Sequence, residues 1–252
     1  MTTNKHAIAG FAAVTMLLLA ACASAPSTLS NEQVVAIVAA PDRTAADRKN
    51  DERRKPAQVL SFIGVRPGMT VLDVSASGGY TTELLARAVG PTGKVVGQSL
   101  VPAAGPQAPP PPAFVERQKK PGFTGLEFVR RPFEDPVPPE LKGKLDLVTL
   151  MFNYHDMGHL KVDRDKMNRS IFEGLKPGGM YVIADHSGRA GTGISESGTL
   201  HRIEEAFLIR EVQAAGFKAP VHGEFLHNPQ DPRTEAEPSY PKDEFVLKFV
   251  KP

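Results

Sequence analysis

"LDVSASGGYTTELLARAVGP", residues 72–91, is the stretch of sequence that decides the fold. An apolar strand ends at Asp73, a turn of small residues follows, and a helix begins at Tyr80. The adjacent Gly78 and Gly79 permit close approach to the backbone and a positive φ, and the helix N-terminus favours a negative charge. The stretch is therefore typical of a loop that holds a nucleotide-type ligand, although a tight turn without a ligand fits the same local sequence.

Strands and helices alternate on both sides of this loop. Strands are predicted at 69–74, 94–98, 126–130, 145–152, 180–185, near 219–225 and at 244–250. Helices are predicted from the Ser30–Gln33 capping box to about residue 39, at 44–55, in PAQVLSFI from Pro56, at 80–89, along Met167, Ile171 and Leu175, and along Leu200, Ile203 and Phe207 up to Gly216. This alternation predicts an α/β fold whose mostly parallel sheet carries helices on both faces.

The beginning of the chain has the composition of an export signal. Residues 7–21 are apolar apart from Thr15, and they lead to Cys22 in Leu-Ala-Ala-Cys, which resembles a bacterial lipobox. Cys22 is the only cysteine. We expect residues 1–22 to be a signal peptide, Cys22 to be lipidated, and the protein to be an exported, membrane-anchored lipoprotein facing the periplasm. An ordinary cleaved signal peptide is the alternative.

The remainder of the chain predicts one domain. Residues 23–30 have the composition of a flexible tether, and residues 31–252 suffice for a single core. The proline-rich segment 101–114 is expected to be a loop insertion, with a partner-recognition motif as the alternative. The formal net charge of +2 gives no indication of a broad surface for nucleic acid.

Ligands of such sheets bind where strands end and strand order reverses. The informative positions are therefore those that follow strands, namely Asp73–Tyr80, Gln98, Arg131–Asp135, Asn153–Asp156 and Asp185–Ser187.

Residues from about 43 to 250 resemble a class I S-adenosylmethionine-dependent methyltransferase, and more narrowly a group of bacterial predicted methyltransferases with an Asn-Tyr-His-Asp-Met motif. The stretches that carry the resemblance are RKPAQVLSFIGVRPGMTVLDV, GGYTTELLARAVGPTGKV, FNYHDM, DKMNRSIFEGLKPGGMYVIADHS and TLHRIEEAFLIREVQAAGF. The resemblance implies a Rossmann-like seven-stranded sheet with the last strand antiparallel. It also implies S-adenosylmethionine as cofactor and a small-molecule acceptor.

The resemblance further implies a set of cofactor-binding residues: Asp73, Ser75, Ser77, Gly78, Gly79, Tyr80, Gln98, Glu134 and Asn153. Ser75 and Ser77 stand where such loops usually carry glycine. Gln98 stands where the superfamily commonly has an acid for the ribose hydroxyls, and the loss of a charged hydrogen bond predicts recognition weaker by about 1–2 kcal/mol. For Glu134, or the adjacent Asp135, a solvated surface turn is an equal alternative to a contact with the adenine.

Asn153, Tyr154, His155 and Asp156 follow the buried fourth strand and are the candidate catalytic residues. His155 with Asp156 could remove a proton from the acceptor, while Asn153 could hold the cofactor or acceptor and Tyr154 could close the pocket. A hydrogen-bonded turn that caps the strand is the alternative for all four. We expect no metal, although His155, Asp156 and His159 have ligand-type side chains. Further residues expected near the same rim are His186, Ser187, His201 and Arg202.

Two functions follow from these observations. The first is a working methyltransferase. The second is an exported lipoprotein whose altered methyltransferase fold binds a ligand without catalysis, because S-adenosylmethionine is made in the cytoplasm. An adaptor that uses the proline-rich loop has only composition in its favour.

Overall fold

The computed structural model describes residues 1–2, 27–103, 105–123 and 125–252. The predicted signal segment, Cys22 and the first part of the tether lie outside these residues and remain sequence predictions. Within the described ranges, no helix combines the length and the apolar character needed to cross a membrane.

Within these residues, seven strands form one sheet in the spatial order β3-β2-β1-β4-β5-β7-β6. Their bounds are β1 Thr70–Val74, β2 Lys94–Ser99, β3 Leu126–Arg130, β4 Leu145–Met151, β5 Leu175–His186, β6 Val221–Gly223 and β7 Glu244–Val250. The five strands from β3 to β5 pair in parallel, whereas β7 is antiparallel to both β5 and β6. The predicted Rossmann-like sheet with an antiparallel last strand is confirmed, and strand order reverses between β1 and β4.

Eight α-helices flank the sheet in the described part of the chain. They are α1 Asn31–Val38, α2 Ala45–Arg54, α3 Pro56–Ile63, α4 Tyr80–Val89, α5 Pro112–Gln118, α6 Asp156–His159, α7 Arg164–Gly174 and α8 Glu205–Ala214. The predicted capping box at Ser30 and Gln33 is present at the start of α1. Buried apolar residues form a cluster on each face of the sheet, as expected for a sheet covered on both sides.

Two local predictions were wrong. Ile203 is not helical, because its N–H donates to the carbonyl of His186 and its own carbonyl accepts from Gly188, which pairs this segment with the end of β5. The helix therefore begins only at Glu205. The proline-rich segment is not a loop to residue 114, since α5 begins at Pro112. Proline is tolerated in the first helical turn, where its missing N–H has no partner to lose.

Candidate active site

A cavity of about 750 Å³ lies at the carboxyl ends of β1 and β4, where strand order reverses. Its volume is in the range of small-molecule sites. Four parts of the chain line it: α2 with its N-cap, residues 73–78 with Tyr80 and Thr81, α5 with Lys120, and residues 151–153. The sequence predicted the second and fourth of these parts, but not the contributions of α2 and α5.

Asp73 is the penultimate residue of β1, lines this cavity and is only 2% exposed. Thr82 of α4 and Thr149 of β4 each donate a hydroxyl hydrogen bond to its carboxylate, over 2.5 and 2.7 Å. Burial raises the pKa of Asp73 to about 6, against the opposing effect of these two hydrogen bonds. Asp73 therefore ties the loop and helix to the sheet and places a partly screened negative charge beside the cavity.

Ser75 and Ser77 adopt the backbone that glycine favours, with φ values of 60° and 49°. Both positions therefore require a positive φ, which glycine adopts without strain and serine adopts at some cost in free energy. Ser75 gains two contacts in return. Its N–H donates to Gln98 Oε1 at 3.1 Å, and its hydroxyl donates to Asn153 Oδ1 at 2.6 Å.

The two glycines of the loop differ in what surrounds them. Gly78 lines the cavity, and its carbonyl accepts a hydrogen bond from Arg117 Nε over 2.7 Å. Gly79 has a φ of 83°, and a Cβ there would lie 2.8 Å from Phe114 Cδ2 and 3.0 Å from Arg117 Cδ. Gly79 therefore permits α5 to pack on the loop. It is not among the residues that line the cavity, and its contact with a cofactor stays a prediction.

Gln98 is fully buried and does not line the cavity. Its Oε1 accepts from Ser75 N–H, and its Nε2 donates to the Arg131 carbonyl at 2.7 Å. Both ends of the amide are thus used within the protein, so the predicted contact with ribose hydroxyls is not supported. Glu134 is also absent from the cavity lining, and the neighbouring Asp135 pairs with Arg131 and Ser170. This geometry favours the surface-turn alternative.

Arg54 is the site residue that sequence reasoning missed. Its guanidinium carbon lies 5.2 Å from the Tyr80 ring centroid and 4.7 Å from that of Phe152, and the residue lines the cavity. Its Nε is buried with no hydrogen-bond partner among the described residues. Burial, with a smaller effect of Arg53, lowers the pKa of Arg54, yet an arginine remains charged. An unpaired cation in a cavity is suited to bind a carboxylate.

A buried ion-pair network holds α2 and α5 over the loop. Arg117 of α5 donates to both carboxylate oxygens of Asp47 in α2, over 3.0 and 2.7 Å, and also pairs with Glu83 of α4. Glu83 is fully buried and also forms ion pairs with Lys120 and Arg87. Burial raises the pKa of Glu83, but the hydrogen bonds from these three cations outweigh that effect and lower it.

The residues present fit the amino-acid part of S-adenosylmethionine. Arg54 and the N-terminus of α4, whose N-cap Gly79 makes no side-chain capping bond, favour a ligand carboxylate. Asp73 and the polar pair of Ser75 and Asn153 favour a ligand amine. For the nucleoside part, α2 and α5 provide Asn50 and Glu116, both of which line the cavity.

Asn153 and Asp156 form the polar corner after β4. Asn153 lines the cavity, and its Nδ2 donates to Asp156 Oδ2 at 2.5 Å. Asp156 Oδ1 lies 3.1 Å from His155 Nε2 and 3.2 Å from His201 Nδ1. Burial would raise the pKa of Asp156, but the hydrogen bond and charge of His155 dominate and lower it to about 2. The carboxylate is ionised and surrounded by imidazoles.

His155 lies between two carboxylates. Its Nδ1 is 2.6 Å from Asp185 Oδ1, and its backbone N–H donates to Asp185 Oδ2 at 2.8 Å. Burial lowers its pKa, but the charge of Asp185 and the hydrogen bonds with Asp156 and Asp185 outweigh burial and raise the pKa to about 9. An imidazole held protonated at neutral pH cannot accept a proton, so the geometry argues against His155 as the general base.

Tyr154 points away from the cavity and is fully buried in the core. Its hydroxyl donates to Glu211 of α8 at 3.0 Å and accepts from Asn168 of α7 at 2.8 Å. Consecutive residues in this corner face opposite sides, so the predicted role of Tyr154 in closing the pocket is corrected.

The four additional rim residues separate into two kinds. His201 contacts Asp156 and belongs to the polar corner. Arg202 is fully buried and pairs with Asp231 at 2.8 Å, which gives it a structural role. His186 pairs with Glu244 on β7, and Ser187 forms the bridge to Ile203.

This fold and cavity are those of a methyltransferase domain. The family model described as "Methyltransferase domain" matches residues 66–218, more than half of the 252 residues. The chain therefore belongs to this family.

The comparison with curated proteins finds demethylmenaquinone methyltransferases of Staphylococcus aureus. Those of strains JH9 and Newman are each 33% identical over 130 residues, which cover 52% of this chain and 48% of the relative. The chain thus spans about half the length of the curated relatives it matches.

Solved structures share the fold at low sequence identity. A SAM-dependent methyltransferase from Aquifex aeolicus has a TM-score of 0.58 at 19% identity and covers 88% of this chain and 98% of its own. An arsenic(III) S-adenosylmethionine methyltransferase from Chlamydomonas reinhardtii has a TM-score of 0.56 at 17% identity and covers 86% of this chain and 72% of its own. At these identities the likeness concerns the fold alone.

Proposed function

We propose that the protein is an S-adenosylmethionine-dependent methyltransferase that acts on a small-molecule acceptor. The observation that carries the proposal is the guanidinium of Arg54, whose Nε has no hydrogen-bond partner among the described residues. Arg54 and Asp73 line the same cavity at the strand-order reversal of a methyltransferase-family chain. A cation and an anion side by side match the carboxylate and ammonium groups of an amino acid.

The roles of the residues follow from their positions. Arg54 and the N-terminus of α4 bind the cofactor carboxylate, and Asp73 with Asn153 orients the amine end. S-adenosylmethionine, when bound, supplies a methyl group already activated by a positive sulfur. The chain then has to orient the acceptor and exclude water, which α2 and α5 do by covering the cavity. No residue is assigned as general base, because His155 is held protonated.

The class of acceptor rests on the size of the cavity and on the relatives. A cavity of about 750 Å³ is suited to a cofactor with part of a small molecule. The name of the Staphylococcus aureus relatives gives demethylmenaquinone as the first acceptor to assay.

The proposal is tested by calorimetric titration of the purified protein with S-adenosylmethionine and S-adenosylhomocysteine. We expect micromolar binding, and we expect Arg54→Met to weaken it about 10- to 100-fold, as for loss of a hydrogen bond to a charged group. Arg48→Met is the matched control, since Arg48 lies on the same helix but outside the cavity lining. Absence of binding by the folded protein would favour the non-catalytic alternative.

We also propose, from the sequence pattern alone, that Cys22 is lipidated and anchors the protein to a membrane after export. Membrane fractionation of a Cys22→Ser variant tests this proposal. An unchanged membrane fraction would count against the lipobox.

A further inference from the structure

Three imidazoles and a carboxylate meet at the corner that follows β4. His155 Nε2 and His201 Nδ1 lie 3.1 and 3.2 Å from Asp156 Oδ1, and one potential ligand atom from each of the three residues lies within 4.8 Å of the other two. His159 Nδ1 is 3.7 Å from the same oxygen. We propose that this cluster is a binding site for a divalent transition-metal ion, with His155, Asp156 and His201 as ligands.

The distances match the edges of a metal coordination polyhedron. With zinc bonds of about 2.0 Å, ligand atoms of a tetrahedral site stand about 3.3 Å apart. Two of the three ligand pairs already have that separation. A small movement of the His201 side chain, which is 46% exposed, brings the third pair to the same value.

The residues behind the ligands have the arrangement that metal sites require. Asp185 accepts from His155 Nδ1, with 2.6 Å between the atoms, so Nε2 is the nitrogen that faces Asp156. A carboxylate that fixes the far nitrogen of a metal-binding imidazole is the usual support for such a ligand. Asp185 is itself fully buried and held by the N–H groups of His155 and His186.

The backbone at His201 provides a second, independent observation. Its φ of 51° is in the left-handed region, which a non-glycine residue adopts at a cost. The following Arg202 is fully buried and paired with Asp231, which fixes the chain on that side. The strained conformation thus places the His201 ring beside Asp156, with Nδ1 at 3.2 Å from Oδ1, although the side chain remains partly exposed.

The ligand set selects the class of ion. Imidazole nitrogen suits zinc, cobalt, nickel and iron, whereas magnesium and calcium prefer oxygen ligands alone. Asp156 and Asp185 together carry two negative charges, which a divalent cation neutralises when the imidazoles are neutral. Three protein ligands leave one position of a tetrahedral site open, the pattern of a site that also accepts an exogenous ligand.

The site adjoins the cavity but does not depend on the proposed cofactor. Asn153 lines the cavity and donates a hydrogen bond to Asp156 Oδ2. A metal ion bound to Asp156 would therefore be separated from the cavity by the Asn153 side chain. Metal binding is measured without S-adenosylmethionine. Failure of the metal site and failure of the methyltransferase proposal are therefore distinguishable.

The test is titration of chelator-treated, full-length protein with Co²⁺ at about pH 8, because the affinity of imidazole ligands for a metal ion rises with pH and binding releases their protons. We expect visible absorption bands of four-coordinate cobalt with micromolar or tighter affinity, displacement by Zn²⁺, and no displacement by equal Mg²⁺. We expect His201→Gln to weaken cobalt binding about 100-fold or more. Asp156→Asn should have an equal or larger effect.

The matched control is His222→Gln. His222 is also 46% exposed and also pairs with a carboxylate, Glu205, at 2.9 Å, but it lies outside the cluster. We expect this variant to bind cobalt as the parent does. Millimolar affinity in the parent protein, or equal affinities for the His201 and His222 variants, would overturn the proposal. Both substitutions are at exposed side chains, so both variants should fold.

Discussion

The hydroxyl of Ser75 donates a hydrogen bond to the amide oxygen of Asn153 across 2.6 Å. This bond joins the loop after β1 to the corner after β4, on the two sides of the strand-order reversal. It also explains how a serine is accommodated at a φ of 60°, because the side chain has a partner that glycine would lack. The loop thus keeps the backbone conformation of a glycine-rich loop and is stabilised by a side-chain hydrogen bond to the neighbouring corner.

Ser77 has the same backbone conformation without this partner. It is exposed, with a φ of 49°. We predict that Ser77→Gly raises the free energy of unfolding by about 1 kcal/mol by relieving left-handed strain. Ser77→Ala keeps the strain and should give no gain. Chemical denaturation of the parent and the two variants measures this difference. Equal denaturation midpoints for the two variants would show that Ser77 is not strained.

Gly79 packs against α5, so its replacement should destabilise the fold. We predict that Gly79→Ala costs about 3 kcal/mol, from positive φ and from overlap with Phe114. Gly64 is the control, since its φ is 73° but an added Cβ would meet only Thr28 Cγ2 at 3.7 Å. Gly64→Ala should cost about 1 kcal/mol. Thermal denaturation with equal losses for both would show that crowding by α5 is unimportant.

Tyr154 is predicted to matter for stability and not for ligand binding. Tyr154→Phe removes the partner of Asn168 Nδ2 and of Glu211. Leaving a buried polar group unpaired should cost about 1–3 kcal/mol. Affinity for S-adenosylhomocysteine, measured by calorimetry below the melting temperature, should not change. A fall in affinity with unchanged stability would restore Tyr154 to the pocket.

Arg117 should be essential for holding α2 and α5 over the cavity. We predict that Arg117→Met costs about 3 kcal/mol, because Asp47 is left buried without its cation. Lys120→Met is the comparison, since Arg117 and Arg87 continue to neutralise Glu83. Denaturant titration should rank Arg117→Met well below Lys120→Met in stability, and the reverse order would contradict the network.

The stability of the metal-free protein should fall on the alkaline side. His155 has a pKa raised to about 9 by Asp185 and Asp156 despite burial, against 6.5 when unfolded. The contribution of protonated His155 to the free energy of unfolding is fully present below pH 6.5. It is lost as the pH rises through 9, which lowers the free energy of unfolding by about 3 kcal/mol. Asp156, with its lowered pKa of about 2, loses its contribution only as the pH falls through that value.

Denaturation between neutral and alkaline pH, with a chelator present, measures this effect. We expect His155→Gln to be less stable at neutral pH and to show a flatter alkaline decline. An identical decline in the parent and the variant would assign the effect to another group.

The sequence by itself determined the order of strands and helices, because burial on one or two faces leaves a period in the chain that needs no knowledge of partners. It also determined the family, through motifs that span the domain, and the position of the cavity, since ligands of parallel sheets bind at strand ends. The sequence did not predict the start of α5, because proline is tolerated in the first turn of a helix. It also did not predict the loss of helix at Ile203, because pairing with the end of β5 overrides the local apolar spacing.

Only the tertiary structure decided which side chains face the cavity. The direction of Tyr154 into the core, the use of both ends of the Gln98 amide inside the protein, and the position of Arg54 over Phe152 each depend on a partner far away in sequence. Hydrogen bonds and ion pairs are short-range and directional, so they are specified by three-dimensional proximity. Residue type and spacing along the chain contain no record of that proximity.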